Sequence, residues 1–152
     1  MATAAKITKK SILIVEDDLV IAKLLANRLK RSGYAVQVVG NGSEGVAAIE
    51  KKKPDLVLLD IVMPKMDGYM VLQELREKGF LPALPVIVIS NSGEPVAIER
   101  IRNMGVRDYL IKVNISPGEV LEKVNNVFTR NIKIFQEIFD KLQPKSGNFR
   151  PK

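Results

Sequence analysis

Three short runs in this chain, "ILIV" at 12–15, "LVLL" at 56–59 and "VIVI" at 86–89, are apolar at every consecutive position. A strand with one face in water alternates apolar and polar residues. A strand covered on both faces need not, and that situation belongs to parallel sheets flanked by helices. The runs lie within "SILIV" (11–15), "DLVLL" (55–59) and "LPVIVIS" (84–90), and with "YAVQVV" (34–39) and "DYLI" (108–111) they predict five strands. Helical spacing fills the intervals. Val20, Ile21, Leu24, Leu25 and Leu29 form an apolar stripe ending before Ser32-Gly33, a helix-stop pair. Ser43 is the expected N-cap of a second helix stopped by Pro54. Met70, Val71, Leu72 and Leu75 mark a third before Gly79, Pro95 through Met104 a fourth ended by Gly105, and Pro117 starts a fifth. Strand then helix, five times over, predicts an α/β chain with a doubly wound parallel sheet.

In such sheets ligands bind beyond the carboxyl ends of the strands, near the point where strand order reverses. The first strand runs into Glu16, Asp17 and Asp18, the third into Asp60, the fourth ends at Ser90 and the fifth at Lys112. Parallel strands put all of these on one edge. Asp18 suits the cap of the first helix, while Glu16, Asp17 and Asp60 would repel one another without a counter-charge. Carboxylate oxygens with waters and a backbone carbonyl suit Mg²⁺. A carboxylate beside that ion, with an ammonium and a hydroxyl nearby, can act as a nucleophile toward phosphorus. The chain has no cysteine and no histidine, so thiolate chemistry, disulfides, zinc sites and histidine bases are excluded.

The motifs "ILIVEDD", "LVLLDIVMPKMDG", "VIVIS" and "YLIK", in this order and spacing, resemble the receiver domain of two-component response regulators, in layout like the single-domain chemotaxis regulator. The resemblance covers residues 11 to about 129. It implies a flavodoxin-like (βα)5 fold with strand order 2-1-3-4-5. It also implies that Asp60 is the phosphoacceptor, that Glu16 and Asp17 hold Mg²⁺ with Asp60, and that Val62 lends the metal a backbone carbonyl. By the same resemblance Ser90 is the switch hydroxyl, Lys112 the ammonium that pairs with the phosphoryl group, and Tyr109 the aromatic that changes rotamer. Met63, Pro64, Asp67 and Gly68 then shape the loop after Asp60. The implied partners are a histidine kinase or histidine phosphotransfer protein, which brings the histidine this chain lacks, and a downstream protein target. Such a chain is a signalling phosphoacceptor that catalyses its own phosphorylation and dephosphorylation, and is not an enzyme acting on a separate substrate.

Two positions depart from the family pattern. Val113 follows Lys112 where the family usually has proline, and a cis bond to a non-proline costs roughly 2.5–4 kcal/mol. Asn91 follows Ser90 where small residues are common. Val62 and Ser92 occupy positions that tune the lifetime of the acyl phosphate, and Val62 has no polar group to orient water. A non-phosphorylated receiver-like scaffold for interaction or dimerisation is the alternative. A haloacid-dehalogenase-type phosphatase is disfavoured, because its second aspartate would fall at Val62.

Length sets the outer limits: 152 residues suit one domain with extensions. The expected division is a basic N-terminal extension (1–10), the receiver (11–130), and a helix extension with a basic disordered tail (131–152). The net charge of +7 comes from those ends, since 1–10 and 130–152 hold the excess of lysine and arginine while 11–129 balances. Basic termini of this kind more often mean solvated ends than a nucleic-acid site. Neither a membrane-length apolar run nor a secretory signal is present in the sequence, so a cytoplasmic location is expected. Finally, Leu121, Val124, Phe128, Asn131, Phe135, Ile138 and Leu142 repeat at 3-4 spacing. The last helix is therefore expected to run to about 142, where its stripe can dimerise, pack on its own domain or begin a linker.

Overall fold

The computed structural model describes residues 9–91 and 95–143. In chain order the elements are β1 (Ser11–Val15), α1 (Leu19–Arg31), β2 (Ala35–Val39), α2 (Gly42–Lys51), β3 (Leu56–Asp60), α3 (Gly68–Glu77), β4 (Val86–Ser90), α4 (Pro95–Arg102), β5 (Asp108–Ile111) and α5 (Pro117–Leu142), with a 3-10 turn at Lys112–Asn114. The strands form one parallel sheet in the order β2-β1-β3-β4-β5, the flavodoxin-like arrangement.

Successive strand residues feed two separate cores. Leu13, Val15, Val57, Leu59, Val86 and Val88 pack on one face with Val46 and Ile49 of α2, Val71, Leu72 and Leu75 of α3, and Ile101 of α4. Ile12, Ile14, Leu56, Leu58, Ile87 and Ile89 pack on the other with Leu25 and Leu29 of α1 and Val120 and Val124 of α5. Two-sided cover is why the central runs do not alternate: β3 and β4 are buried at every position, whereas β2, on the edge, is buried at none.

Several local expectations are corrected. Asn41, not Ser43, caps α2, its side chain accepting from Glu44 N at 2.9 Å while the Glu44 carboxylate accepts from Gly40 N at 3.4 Å. Asparagine caps as well as serine, and Gly42 fits as the first helical residue because a Cβ there would meet the Met66 carbonyl at 2.6 Å. In α1 the buried face is Ala22, Leu25, Ala26 and Leu29, leaving Val20 69 % and Leu24 55 % exposed. The small alanines let the helix approach its neighbours closely enough for Leu25 and Leu29 to enter the core, while Val20 and Leu24 turn outward.

The final helix does reach Leu142, but its stripe divides in two. Val120 and Val124 are buried, and Leu121 and Phe128 pack against the same core. Further along, Ile134, Phe135, Ile138, Phe139 and Leu142 are exposed at 47 % to 77 %. The proximal half of the expected seam is thus consumed within the domain. The side chain of Asn131, the loop residue Ser92, residues 1–8 and the tail from 144 lie outside the described residues. Among the described residues no helix is long and apolar enough to cross a membrane.

Gly68 joins β3 to α3 at a point with no room for a side chain. Its N–H donates to the Ile61 carbonyl at 2.8 Å, and a Cβ would lie 2.6 Å from the Asp60 carbonyl oxygen. Gly68→Ala is expected to destabilise the fold by about 1–3 kcal/mol through overpacking, read as a lowered urea midpoint with unchanged slope.

Candidate functional site

β1, β3 and β5 deliver their last residues to one edge of the sheet. Glu16 directly follows β1, and its N–H donates to the Val39 carbonyl at 3.1 Å, which fixes where its side chain starts. Asp60 is the last residue of β3, opposite Ile89 of β4, and Ser90 ends β4 opposite Ile111. Glu16, Asp60 and Ser90 are the buried polar or charged residues among those described, at 3 %, 5 % and 1 % exposure. Carboxylate oxygens of Glu16, Asp17 and Asp60 all lie within 4.8 Å of one another, with Asp17 on the solvent side.

One cation answers these acids. Lys112 Nζ donates to Glu16 Oε1 at 2.8 Å and to Asp60 Oδ2 at 3.3 Å, with its side chain 14 % exposed. The Leu81-Pro82 bond is the cis peptide among the described residues, so the Lys112-Val113 bond is trans and the ammonium still reaches the site. Asp60 Oδ1 accepts from Val62 N at 3.3 Å, and Glu16 Oε1 also accepts from Asp18 N at 3.2 Å. Asp18 caps α1, accepting from Val20 and Ile21, in accord with its expected role.

Burial sets the acids' protonation behaviour. Removal from water raises the Asp60 carboxyl above its usual range, against the opposing pull of Lys112, and Asp17 adds to the rise. Glu16 is raised for the same first reason, with its Lys112 hydrogen bond opposing and Asp60 reinforcing. Burial works against the Lys112 charge too, but its bonds to Glu16 and Asp60 outweigh that and lift the ammonium above its ordinary value. With three carboxylates against one ammonium the ionised cluster carries two surplus negative charges. A divalent cation balances that surplus, and an all-oxygen donor set suits Mg²⁺.

The surrounding residues divide by position. Tyr109, in β5 beside Val88, is a buried member of the larger core cluster. Met63 is buried in the same cluster, and Asp67 caps α3 by accepting from Met70 N at 2.9 Å. Pro64 is followed by Lys65, a non-glycine residue at φ 69° spanned by a Met66 N–H to Pro64 carbonyl bond of 3.0 Å. Val62 and Val113 stand out into solvent at 73 % and 76 % exposure, and Asn91 is exposed beside Ser90. Sequence reasoning missed the Glu16–Lys112 bond, which joins residues 96 positions apart and leaves no local signal.

A family model described as the response regulator receiver domain matches residues 12–125. The chain is 38% identical over 128 residues to "Probable transcriptional regulator ycf27" of Pyropia yezoensis, covering 83% of this chain and 50% of that protein. It is 34% identical over 122 residues to the alkaline phosphatase synthesis transcriptional regulatory protein PhoP of Bacillus subtilis, covering 80% of this chain and 50% of that one. The chain therefore spans about half the length of the curated relatives it matches. Among solved structures it is similar to the receiver domain of the Francisella response regulator 1452, with TM-score 0.75, 27% identity and coverage of 81% and 99%. A further likeness is to the BeF3-activated N-terminal receiver domain of Klebsiella pneumoniae RstA, with TM-score 0.68, 29% identity and coverage of 76% and 96%. This chain belongs to the response regulator receiver domain family of two-component systems. Receiver domains bind Mg²⁺ through an acidic pocket and interact with histidine kinases and downstream effectors.

The raised carboxyls give a stability prediction for metal-free protein. A carboxyl whose folded pKa lies above its unfolded value favours folding only when protonated, and that benefit is lost as pH rises through the folded value. Asp60→Asn is therefore expected to raise the urea midpoint in Mg²⁺-free buffer at pH 7. The gain should shrink on acidification, as wild-type Asp60 takes up its proton above the ordinary carboxylate range.

Proposed function

We propose that Asp60 accepts a phosphoryl group from the phosphohistidine of a histidine kinase or histidine phosphotransfer protein, and that phosphorylation switches the chain's contacts with a downstream protein. The observation that carries this reading is the Asp60–Lys112 pair at 3.3 Å within a buried three-carboxylate cluster. An Asp60 carboxylate oxygen attacks phosphorus, the P–N bond of the donor breaks, and its electron pair stays with the imidazole. The Lys112 ammonium, already beside Asp60, stabilises charge on the transferring oxygens, and the Ser90 hydroxyl at the end of the neighbouring strand supplies a further donor. Glu16, Asp17 and Asp60, with the Val62 backbone carbonyl, would hold Mg²⁺, which when bound supplies neutralisation of phosphoryl charge. Tyr109 would change rotamer in response to Ser90, while Met63, Pro64, Asp67 and Gly68 hold the loop that aims Asp60.

On this reading the receiver comprises 11–130 with extensions at 1–10 and 131–152, works in the cytoplasm, and catalyses reactions only on itself. Lys112 reaches Asp60 although Val113 follows it, which supports the phosphoacceptor over the non-phosphorylated scaffold; Asn91, exposed beside Ser90, is the other departure that suggests a scaffold.

Incubation with acetyl phosphate and Mg²⁺ is expected to add one phosphoryl group by intact mass, lost in Asp60→Asn and on chelation of the metal. No gain in the wild type would support the scaffold instead. Val62, exposed and apolar, gives attacking water nothing to bond. The acyl phosphate should accordingly persist for minutes or longer, and Val62→Asn should hasten its loss; decay within seconds in the wild type would refute this role.

A further inference from the structure

We infer that the groove between the start of β5 and the middle of α5 is a binding site for a diphosphate group, free or carried by a nucleotide. Arg107, just ahead of β5, lines one side of this groove of about 320 Å³, and Lys123, Arg130 and Lys133 of α5 line the other. Asp108 begins β5 and Lys112 follows its far end. The groove therefore lies at the opposite edge of the sheet from the acidic cluster, and nothing in phosphoryl transfer to Asp60 uses it.

Geometry turns the charges inward together. At 100° per residue, Lys123, Arg130 and Lys133 fall within an arc of about 80° and along about 15 Å of helix. Across from them the Arg107 N–H donates to the Val86 carbonyl at 2.8 Å, which anchors that side to the sheet. Four bases and one acid, Asp108, line the groove, leaving three surplus positive charges. Asp108 answers only Lys123, at 3.6 Å, and no ion pair among the described residues includes Arg107, Arg130 or Lys133. A basic run on a convex face is ordinarily just solvated. Like charges gathered from a strand and a helix around one concavity focus the potential there and concentrate counter-ions.

Charge and shape then select the anion. One carboxylate would leave two of the three charges unmet. A phosphate group carries about −1.5 to −2 at pH 7, so two linked phosphates match the surplus, and guanidinium forks such as those of Arg107 and Arg130 bond phosphate oxygens in pairs. Thr129 and Asn126 add neutral donors at the same site. The volume is at the small end of the roughly 300–1,000 Å³ of ligand pockets. No aromatic residue is among the lining, and Val127 is its apolar member, so nothing holds a nucleobase and recognition ends at the phosphates. Arg107, Lys123, Arg130 and Lys133 are exposed, which makes the binding sensitive to salt.

The test is titration of the full chain with sodium pyrophosphate in Mg²⁺-free buffer at constant ionic strength, followed by amide chemical shifts. Saturable shifts are expected at Arg107, Lys123, Arg130 and Lys133 and not at Val62 beside the acidic cluster. ADP and GDP should bind equally well, since the base is not read; a site that takes one nucleotide but not pyrophosphate would overturn the proposal. Arg107→Gln and Arg130→Gln should each weaken binding about fivefold or more, as loss of a charge-assisted bond implies. Asp108→Asn keeps the side-chain oxygen that accepts from Tyr109 N at 2.8 Å and removes the acid that competes for Lys123. It should tighten binding about threefold, in the range of a surface ion pair, a gain that misfolding does not produce. The proposal fails if pyrophosphate gives no saturable shift up to about 10 mM, or if sulfate at the same ionic strength shifts the same amides as strongly. It fails equally if an N-acetylated Glu-Glu dipeptide of comparable charge binds as tightly, which would make the groove a site for acidic peptide, or if Asp108→Asn leaves the affinity unchanged.

Discussion

Three carboxylates with oxygens within 4.8 Å of one another are more negative charge than the end of an apolar sheet tolerates, and the Lys112 ammonium is what the chain sets against it. Its bonds to Glu16 and Asp60 tie the ends of β1, β3 and β5 across the sheet. The strand order makes this reachable: β1 lies beside β3, and only β4 separates β3 from β5. A single ammonium leaves the cluster short of positive charge, and that shortfall is what suits the site to a divalent cation. A second lysine in the cluster would offset much of the same surplus and weaken the case for a cation.

Much of this was legible in the sequence, for physical reasons. Two-sided burial leaves unbroken apolar runs, so "LVLL" and "VIVI" reveal a covered parallel sheet without any knowledge of the helices. Parallel topology then converts sequence order into spatial grouping, which is how Glu16, Asp17, Asp60, Ser90 and Lys112 could be assigned to one edge. Where a local pattern allows two outcomes, reading failed. Asn41 and Ser43 are both good caps, and only the packing of Gly42 on the Met66 carbonyl distinguishes them. Apolar size alone puts Val20 and Leu24 in the stripe of α1, yet the helix packs through Ala22 and Ala26 together with Leu25 and Leu29. The spacing in α5 gave the stripe correctly but carried no information about which surface covers each half of it.

The loop after Asp60 concentrates unusual backbone. Lys65 sits at φ 69°, a conformation costing a side-chain-bearing residue roughly 1–2 kcal/mol, five residues after Asp60 ends an otherwise regular strand and just ahead of Gly68. Surrounding contacts offset that cost: Met63 is buried, Asp67 caps α3, and Gly68 bonds back to Ile61. The loop is thus held from both ends, and Asp60 is fixed by backbone geometry as well as by its ion pair.

The length of α5 has a mechanical consequence. The helix begins at Pro117, five residues after Lys112, so its anchored end lies close to the ammonium that joins Glu16 and Asp60. A rigid helix of about 39 Å acts as a pointer: a tilt of about 5° at its base carries Leu142 through about 3 Å. A displacement too small to disturb the packing of Val120 becomes, at the tip, comparable to the distance between touching side chains.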